Sequence, residues 1–174
     1  MKFADLHLHT LYSDGTYTPA QLVSEAERAG LSAIAVVDHD TVEGVSFVLE
    51  AAGQTHIEVL PGIELSAEYA GAEVHILGYL LDYRDRALIE KLDFLRKNRR
   101  ERIYKIAEKL KESGVDLNPE VIFAIAGKGT PGRLHVARAM VQEGLVENIF
   151  EAFAKYIGDK GPAFVLGFKF SPKE

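Results

Sequence analysis

The sequence contains no cysteine and no tryptophan. Disulfides and thiolate metal sites are excluded, so any bound metal has to be held by imidazole nitrogen and by oxygen ligands. No apolar run approaches the length that spans a bilayer, and no leader-like segment precedes the first apolar residues, so the expected location is the cytoplasm, with no membrane partner. Two catalytic signatures are also missing: there is no Gly-x-Ser-x-Gly nucleophile turn and no Gly-x-x-x-x-Gly-Lys-Ser/Thr phosphate loop. Positive charge is in deficit. The net charge is −6, which argues against non-specific binding to nucleic acid or to an anionic membrane, although a local basic patch remains able to hold one phosphate. What remains is a chain of 174 residues, 47% hydrophobic, with enough apolar surface for one core and no internal repeat.

The hydrophobic pattern reads as an α/β chain. An alternating strand over Lys2–Leu8 is followed by a polar turn through Ser13-Asp14-Gly15. Thr18 is a helix cap, Pro19 the first helical residue, and Leu22, Val23, Ala26 and Ala29 share one helical face. Leu31–Val37 is a nearly continuous apolar run, as a parallel strand buried on both faces requires. A helix over about Val42–Ala52 and a strand over Ile57–Leu60 come next. This order predicts right-handed parallel crossovers. The chain from Glu64 to Tyr69 is expected to turn back at Gly71-Ala72 into a strand over Glu73–Leu81. That loop sets His75 opposite Glu68, about 13 Å along the strand from Glu64. A long helix is predicted over Arg84–Ser113, then helices at Asn118–Ala126, from Arg133, and over Glu147–Tyr156. Ser171-Pro172-Lys173-Glu174 reads as the opening of a further helix, so the expectation is part of a longer domain. Strand edges left open in such a part favour association of copies, so an oligomer is possible.

Ionisable residues gather at the carboxyl ends of the first strands, where parallel α/β folds build their sites. His7 and His9 look the same way from the first strand. Asp38-His39-Asp40 ends the second, and Glu64 the third. With Asp14 and His75, the candidate ligands are His7, His9, Asp14, His39, Glu64 and His75. Six such groups are too many for one closed four-coordinate ion and suit two or three adjacent divalent ions, with Glu64 able to bridge. Such a cluster lowers the pKa of a bridging water and clamps phosphoester oxygens. Asp14 is either a ligand or a turn residue before Gly15. Asp5, Asp38 and Asp40 are expected to orient the ligands by accepting from imidazole or backbone N–H groups. His56 has no partner in the pattern and reads as a surface residue. The helix start at Arg133 and His135, after Gly127–Gly132, is either a phosphate site or a plain connector, and Lys97–Arg102 is either a solvated face or part of an anion site.

The motifs Asp5-Leu-His7-Leu-His9-Thr, Ser13-Asp14-Gly15, Asp38-His39-Asp40, Gly62-Ile-Glu64 and His75 resemble the opening motifs of the PHP (polymerase and histidinol phosphatase) metallo-phosphoesterases. Arg133-Leu-His135-Val-Ala-Arg138 and Tyr156–Ala163 look like the small stand-alone bacterial members, which act on nucleoside 3′,5′-bisphosphates and short RNA. The resemblance implies a distorted (β/α)7 TIM-like barrel with a helical insertion, holding two or three ions, commonly Mn, Zn or Fe. It implies that His7 and His9 bind one ion, Asp14 and His39 another, and His75 the remaining one, with Glu64 as the bridge. Arg133 and His135 would hold substrate phosphate. A further histidine and an Asp-x-His motif would lie beyond Glu174. The implied layout is residues 1–82 as the first barrel strands with most ligands, 83–158 as the helical insertion, and 159–174 as a return to the barrel, apparently incomplete. The expected activity is phosphoester hydrolysis on a nucleotide or short RNA through metal-bound hydroxide. The alternatives are a phosphatase for histidinol phosphate or a sugar phosphate, and a metal-binding or regulatory fragment without turnover.

Overall fold

The structure is a computed structural model, and it describes residues 2–70 and 72–173. The chain divides into two compact units. One comprises residues 2–94, 128–130 and 169–173, and the other 95–127 and 131–168.

The first unit is built on a four-stranded sheet in the order β1 (Phe3–Leu8), β2 (Leu31–Val36), β3 (Glu58–Tyr69), β4 (Ala72–Tyr79). The first three strands are parallel and β4 is antiparallel to β3. Helix α1 (Pro19–Arg28) connects β1 to β2. It starts as the sequence predicts, with Thr18 and Gln21 forming a reciprocal capping box ahead of Pro19, and it buries Leu22, Val23 and Ala26. Helix α2 (Val45–Ala52) connects β2 to β3. It begins three residues later than the predicted Val42, because the Thr41 hydroxyl accepts from the Glu43 amide and holds the preceding residues in a turn. The core of this unit includes Ile34, Ala35 and Val36 of β2, the following Val37, and Val45 and Val48 of α2, all wholly buried.

β3 is one strand of 12 residues where the sequence suggested separate pieces. Its first half pairs with β2 up to Val36↔Pro61, and its second half pairs with β4 from Gly62↔Tyr79 to Tyr69↔Ala72. Pro61, which has no N–H to donate, stands at the changeover, and its carbonyl accepts from the Leu80 amide. Gly62 is required there. A Cβ would stand 2.9 Å from the Gly78 carbonyl oxygen and 3.0 Å from that of Val36.

The β3–β4 register differs from the sequence expectation. Tyr69 pairs with Ala72, and Ala70 lies in the left-handed region at φ 52°, while Gly71 lies outside the described residues. His75 therefore stands opposite Ser66 and not Glu68. It lies two residues from the level of Glu64, about 7 Å along the strand where 13 Å was expected.

The sheet is strongly curled. Four flat strands would hold β1 and β4 about 14 Å apart, yet the Tyr79 hydroxyl donates to the Leu6 carbonyl at 2.9 Å. A curled sheet of three parallel strands and a final antiparallel one is an α/β arrangement short of seven repeated β/α units among the described residues.

The second unit is helical. It contains most of α3 (Arg86–Glu112), then α4 (Pro119–Ala126), α5 (Arg133–Gln142) and α6 (Ile149–Ala152). Asn118 and Asn148 cap α4 and α6 with their side-chain oxygens. The helix expected to continue to Tyr156 instead passes into a π-helical turn, Phe153–Ile157. Ile103, Ile106 and Leu110 of α3 pack with Ile122 of α4, Val136 and Met140 of α5, and Ile157. Ile106 is fully buried there. Ile106→Ala is expected to destabilise the protein by about 2–5 kcal/mol, measured by urea unfolding, because the void cannot fully collapse.

Candidate metal centre

The side chains of the cluster come from the end of β1 and the loop after it, from the turn after β2, and from within β3 and β4. β1 contributes two imidazoles. Its register slips between Asp5 and Leu8, where three steps along β1 match two along β2, and the histidines lie in and just after that slip. Both aim Nε2 at Glu64 Oε2, His7 at 2.8 Å and His9 at 3.2 Å. The loop that follows folds back on itself, with the amides of Ser13 and Gly15 donating to the Thr10 carbonyl. Only glycine permits this, since a Cβ at position 15 would meet the His9 carbonyl oxygen at 2.5 Å. The fold-back brings Asp14 Oδ1 to 3.7 Å from His9 Nδ1.

His39 follows β2. The Asp40 amide donates to the Glu64 carbonyl, and the Glu64 amide to the Asp38 carbonyl, which ties this turn to β3. His39 Nε2 lies 3.7 Å from Asp14 Oδ2 and 3.8 Å from Glu64 Oε2. His75, on β4, reaches the other Glu64 oxygen, with Nδ1 2.6 Å from Oε1. Four imidazoles thus surround one carboxylate that is almost wholly buried. The rings of His9 and His39 stack at 4.9 Å, and those of His39 and His75 meet edge-on at the same distance.

Burial pushes the Glu64 carboxyl pKa up. The hydrogen bond from His7 and the charges of His39, His75 and His9 outweigh it, so the group is held below the usual carboxylate range. It is therefore present as the anion that a cation requires.

Three overlapping groups have donor atoms close enough to hold an ion: His7, His9 and Glu64; His9, Asp14 and His39; His39, Glu64 and His75. The donor set fits a divalent metal on two grounds. His9 Nδ1 is buried with no hydrogen-bond partner among the described residues, a costly state for a ring nitrogen that a cation would relieve. The separations of 3.7–3.8 Å from Asp14 to His9 and His39 and from His39 to Glu64 are also too long for hydrogen bonds. They approach the roughly 3.4 Å between two ligands each about 2.1 Å from a tetrahedral ion.

The aspartates flanking the histidines do different work. Asp38 is buried and accepts from the Thr10 amide at 2.7 Å, the Thr10 hydroxyl at 2.6 Å and the Ser13 hydroxyl at 2.6 Å. It anchors the loop that carries Asp14. Asp40, at φ 51°, accepts from the Ser66 amide, and Asp5 accepts from the His7 amide. His56 lies outside the cluster, exposed and 3.8 Å from Glu27.

Arg133 and His135 belong to the second unit. The Arg133 guanidinium pairs with Asp159 and lies over the rings of Phe153 and Phe164, while His135 is buried and its Nδ1 accepts from the Gly132 amide at the start of α5. Thr10, Ser13 and Gly44 have roles the sequence did not announce. Thr10 and Ser13 read as ordinary turn residues. Gly44 comes so near Asp38 that a Cβ would sit 2.7 Å from its Oδ2.

The PHP domain family model matches residues 5–161, and the chain belongs to that family. It is 35% identical over 161 residues to a 5′-3′ exoribonuclease of Haemophilus influenzae, covering 92% of this chain and 58% of the relative. It is 30% identical to a 3′,5′-nucleoside bisphosphate phosphatase of Chromobacterium violaceum, covering 92% of this chain and 57% of that one. Among solved structures, a protein of Bifidobacterium adolescentis assigned as a metal-dependent phosphoesterase matches with a TM-score of 0.91 at 29% identity, over 98% of this chain and 60% of the other. The chain thus spans less than two thirds of the length of these relatives. No helix among the described residues is long and apolar enough to cross a membrane.

Removing the Asp38 carboxylate would strand one amide and two hydroxyls in the interior. Asp38→Ala is expected to cost about 3 kcal/mol or more in urea unfolding. Asp38→Asn, which keeps an acceptor for two of the three donors, should cost clearly less.

Proposed function

We propose that this chain carries the metal centre of a phosphoesterase that hydrolyses a phosphomonoester or a terminal phosphodiester of a nucleotide or short RNA. The observation that supports it most is the Glu64 carboxylate, reached by four imidazoles from three other segments of the chain, with Asp14 beside two of them. Nothing in an ordinary hydrophobic core calls for that concentration of nitrogen and carboxylate donors. The names of the two curated relatives add nucleotide and RNA phosphoesters as the substrate class.

In this reading His7 and His9 serve one ion, Asp14 and His39 a second, and His75 a third, with Glu64 shared among them. Bound divalent ions would supply a water of lowered pKa and positive charge for the phosphate oxygens. Manganese, zinc and iron all suit imidazole and carboxylate donors. The chain's own part is to fix the donors. Asp38 holds the loop bearing Asp14, and Asp40 and the Asp38 carbonyl hold β3 against the turn bearing His39. Arg133 and His135 are proposed to hold phosphate at the start of α5. Arg133 would exchange its Asp159 carboxylate for the incoming anion.

Elemental analysis beside an assay of phosphate release from a nucleoside 3′,5′-bisphosphate with added Mn tests this function. Two or more ions per chain are expected, with release abolished by Glu64→Ala and metal content lowered by His9→Ala. Less than one ion per chain together with no release would contradict it. A sugar phosphate hydrolysed as fast as the bisphosphate would move the substrate to a small metabolite. Arg133→Ala is expected to weaken inhibition by inorganic phosphate about tenfold, in line with loss of a charge-assisted bond, and unchanged inhibition would remove Arg133 from phosphate binding.

A further inference from the structure

β1 is one of the two outer strands of the sheet, and it and the residue after it carry two of the six candidate ligands, His7 and His9. Its position is also the least supported by pairing. Leu6 and His7 fall inside the register slip and have no opposite residue on β2, whereas the Leu8 carbonyl beyond the slip accepts from the Val37 amide. Irregularities of this kind bend a strand and re-aim its side chains, and they persist only where something else fixes them. The carbonyl inside this slip is held from the far edge of the sheet. Tyr79, the last residue of β4, donates its hydroxyl to Leu6 at 2.9 Å.

Tyr79 is well placed for this. It pairs with Gly62 in the same alternation that pairs Leu77 with Glu64 and His75 with Ser66, so it shares a face of β4 with His75. One face of β4 thus supplies both an imidazole of the cluster and the hydroxyl that reaches β1. The next residue secures the end of the strand, since the Leu80 amide donates to the Pro61 carbonyl.

Resting on the metal-centre reading above, we propose that Tyr79 is a positioning residue. By holding the Leu6 carbonyl across the curled sheet, its hydroxyl fixes the β1 segment that aims His7, and through it His9, at Glu64. The ring can remain without the hydroxyl, so Tyr79→Phe isolates the one bond.

The test is titration of the full chain and of Tyr79→Phe with Co(II), followed by calorimetry and by visible absorption, with urea unfolding in chelator as the control. The expected result is about tenfold weaker binding of at least one ion and an altered cobalt spectrum in the variant, as for other groups that orient ligands without touching the metal. Equal affinity and superimposable spectra would overturn the role of Tyr79 while leaving the metal centre standing. A lowered unfolding midpoint in chelator with unchanged cobalt affinity would overturn it too, since the bond would then be structural only. Absence of cobalt binding by the parent chain would overturn both proposals.

Discussion

The arrangement of the first unit follows from a buried carboxylate among imidazoles. Glu64 sits where three segments converge on β3, and its charge is tolerated at that depth because hydrogen bonds and positive neighbours are aimed at it. Taking such a group out of water is costly unless it is fully met, so the strands and the turns after them are constrained to deliver their histidines to one point. The curl of the sheet, the slip in β1 and the changeover within β3 all serve that convergence.

A second buried carboxylate stands behind the first. Asp38 contacts none of the histidines through a hydrogen bond, yet it takes up an amide and two hydroxyls from the loop between His9 and Asp14. Gly15 and Gly44 are the two places where a side chain would push that loop away, one against the His9 carbonyl and the other against Asp38 itself. The precision of the cluster therefore depends on residues that carry no metal-binding chemistry. This is the usual relation between ligands and the groups that orient them.

Much of this was legible in the sequence, for identifiable reasons. His7, His9 and His39 stand at or just after the carboxyl ends of β1 and β2, where parallel connections place such residues together, whereas Glu64, expected at the end of the third strand, lies within β3 because that strand runs on beside β4. Thr18-Pro19 and Asn118-Pro119 mark helix starts by local chemistry alone, and α1 and α4 begin there. Long-range geometry was less legible. Pairing Tyr69 with Ala72 where Ala70 with Glu73 was expected moves His75 by two positions along the partner strand, and composition does not choose between those registers. The continuity of β3 through Pro61-Gly62 depends on β4 taking over as pairing partner, and the hydrogen bond from Tyr79 to Leu6 depends on the curl of the whole sheet. Neither is encoded in a short window.

The most direct test of the central claim is a crystal structure of the Mn-loaded chain with anomalous data collected to locate the ions. The account requires ions within about 2.0–2.3 Å of both Glu64 oxygens, with nitrogens of His7 or His9 on one and His75 on another. Ions found elsewhere, or a Glu64 carboxylate still hydrogen-bonded to His7 and His75 with no metal bound to it, would contradict it.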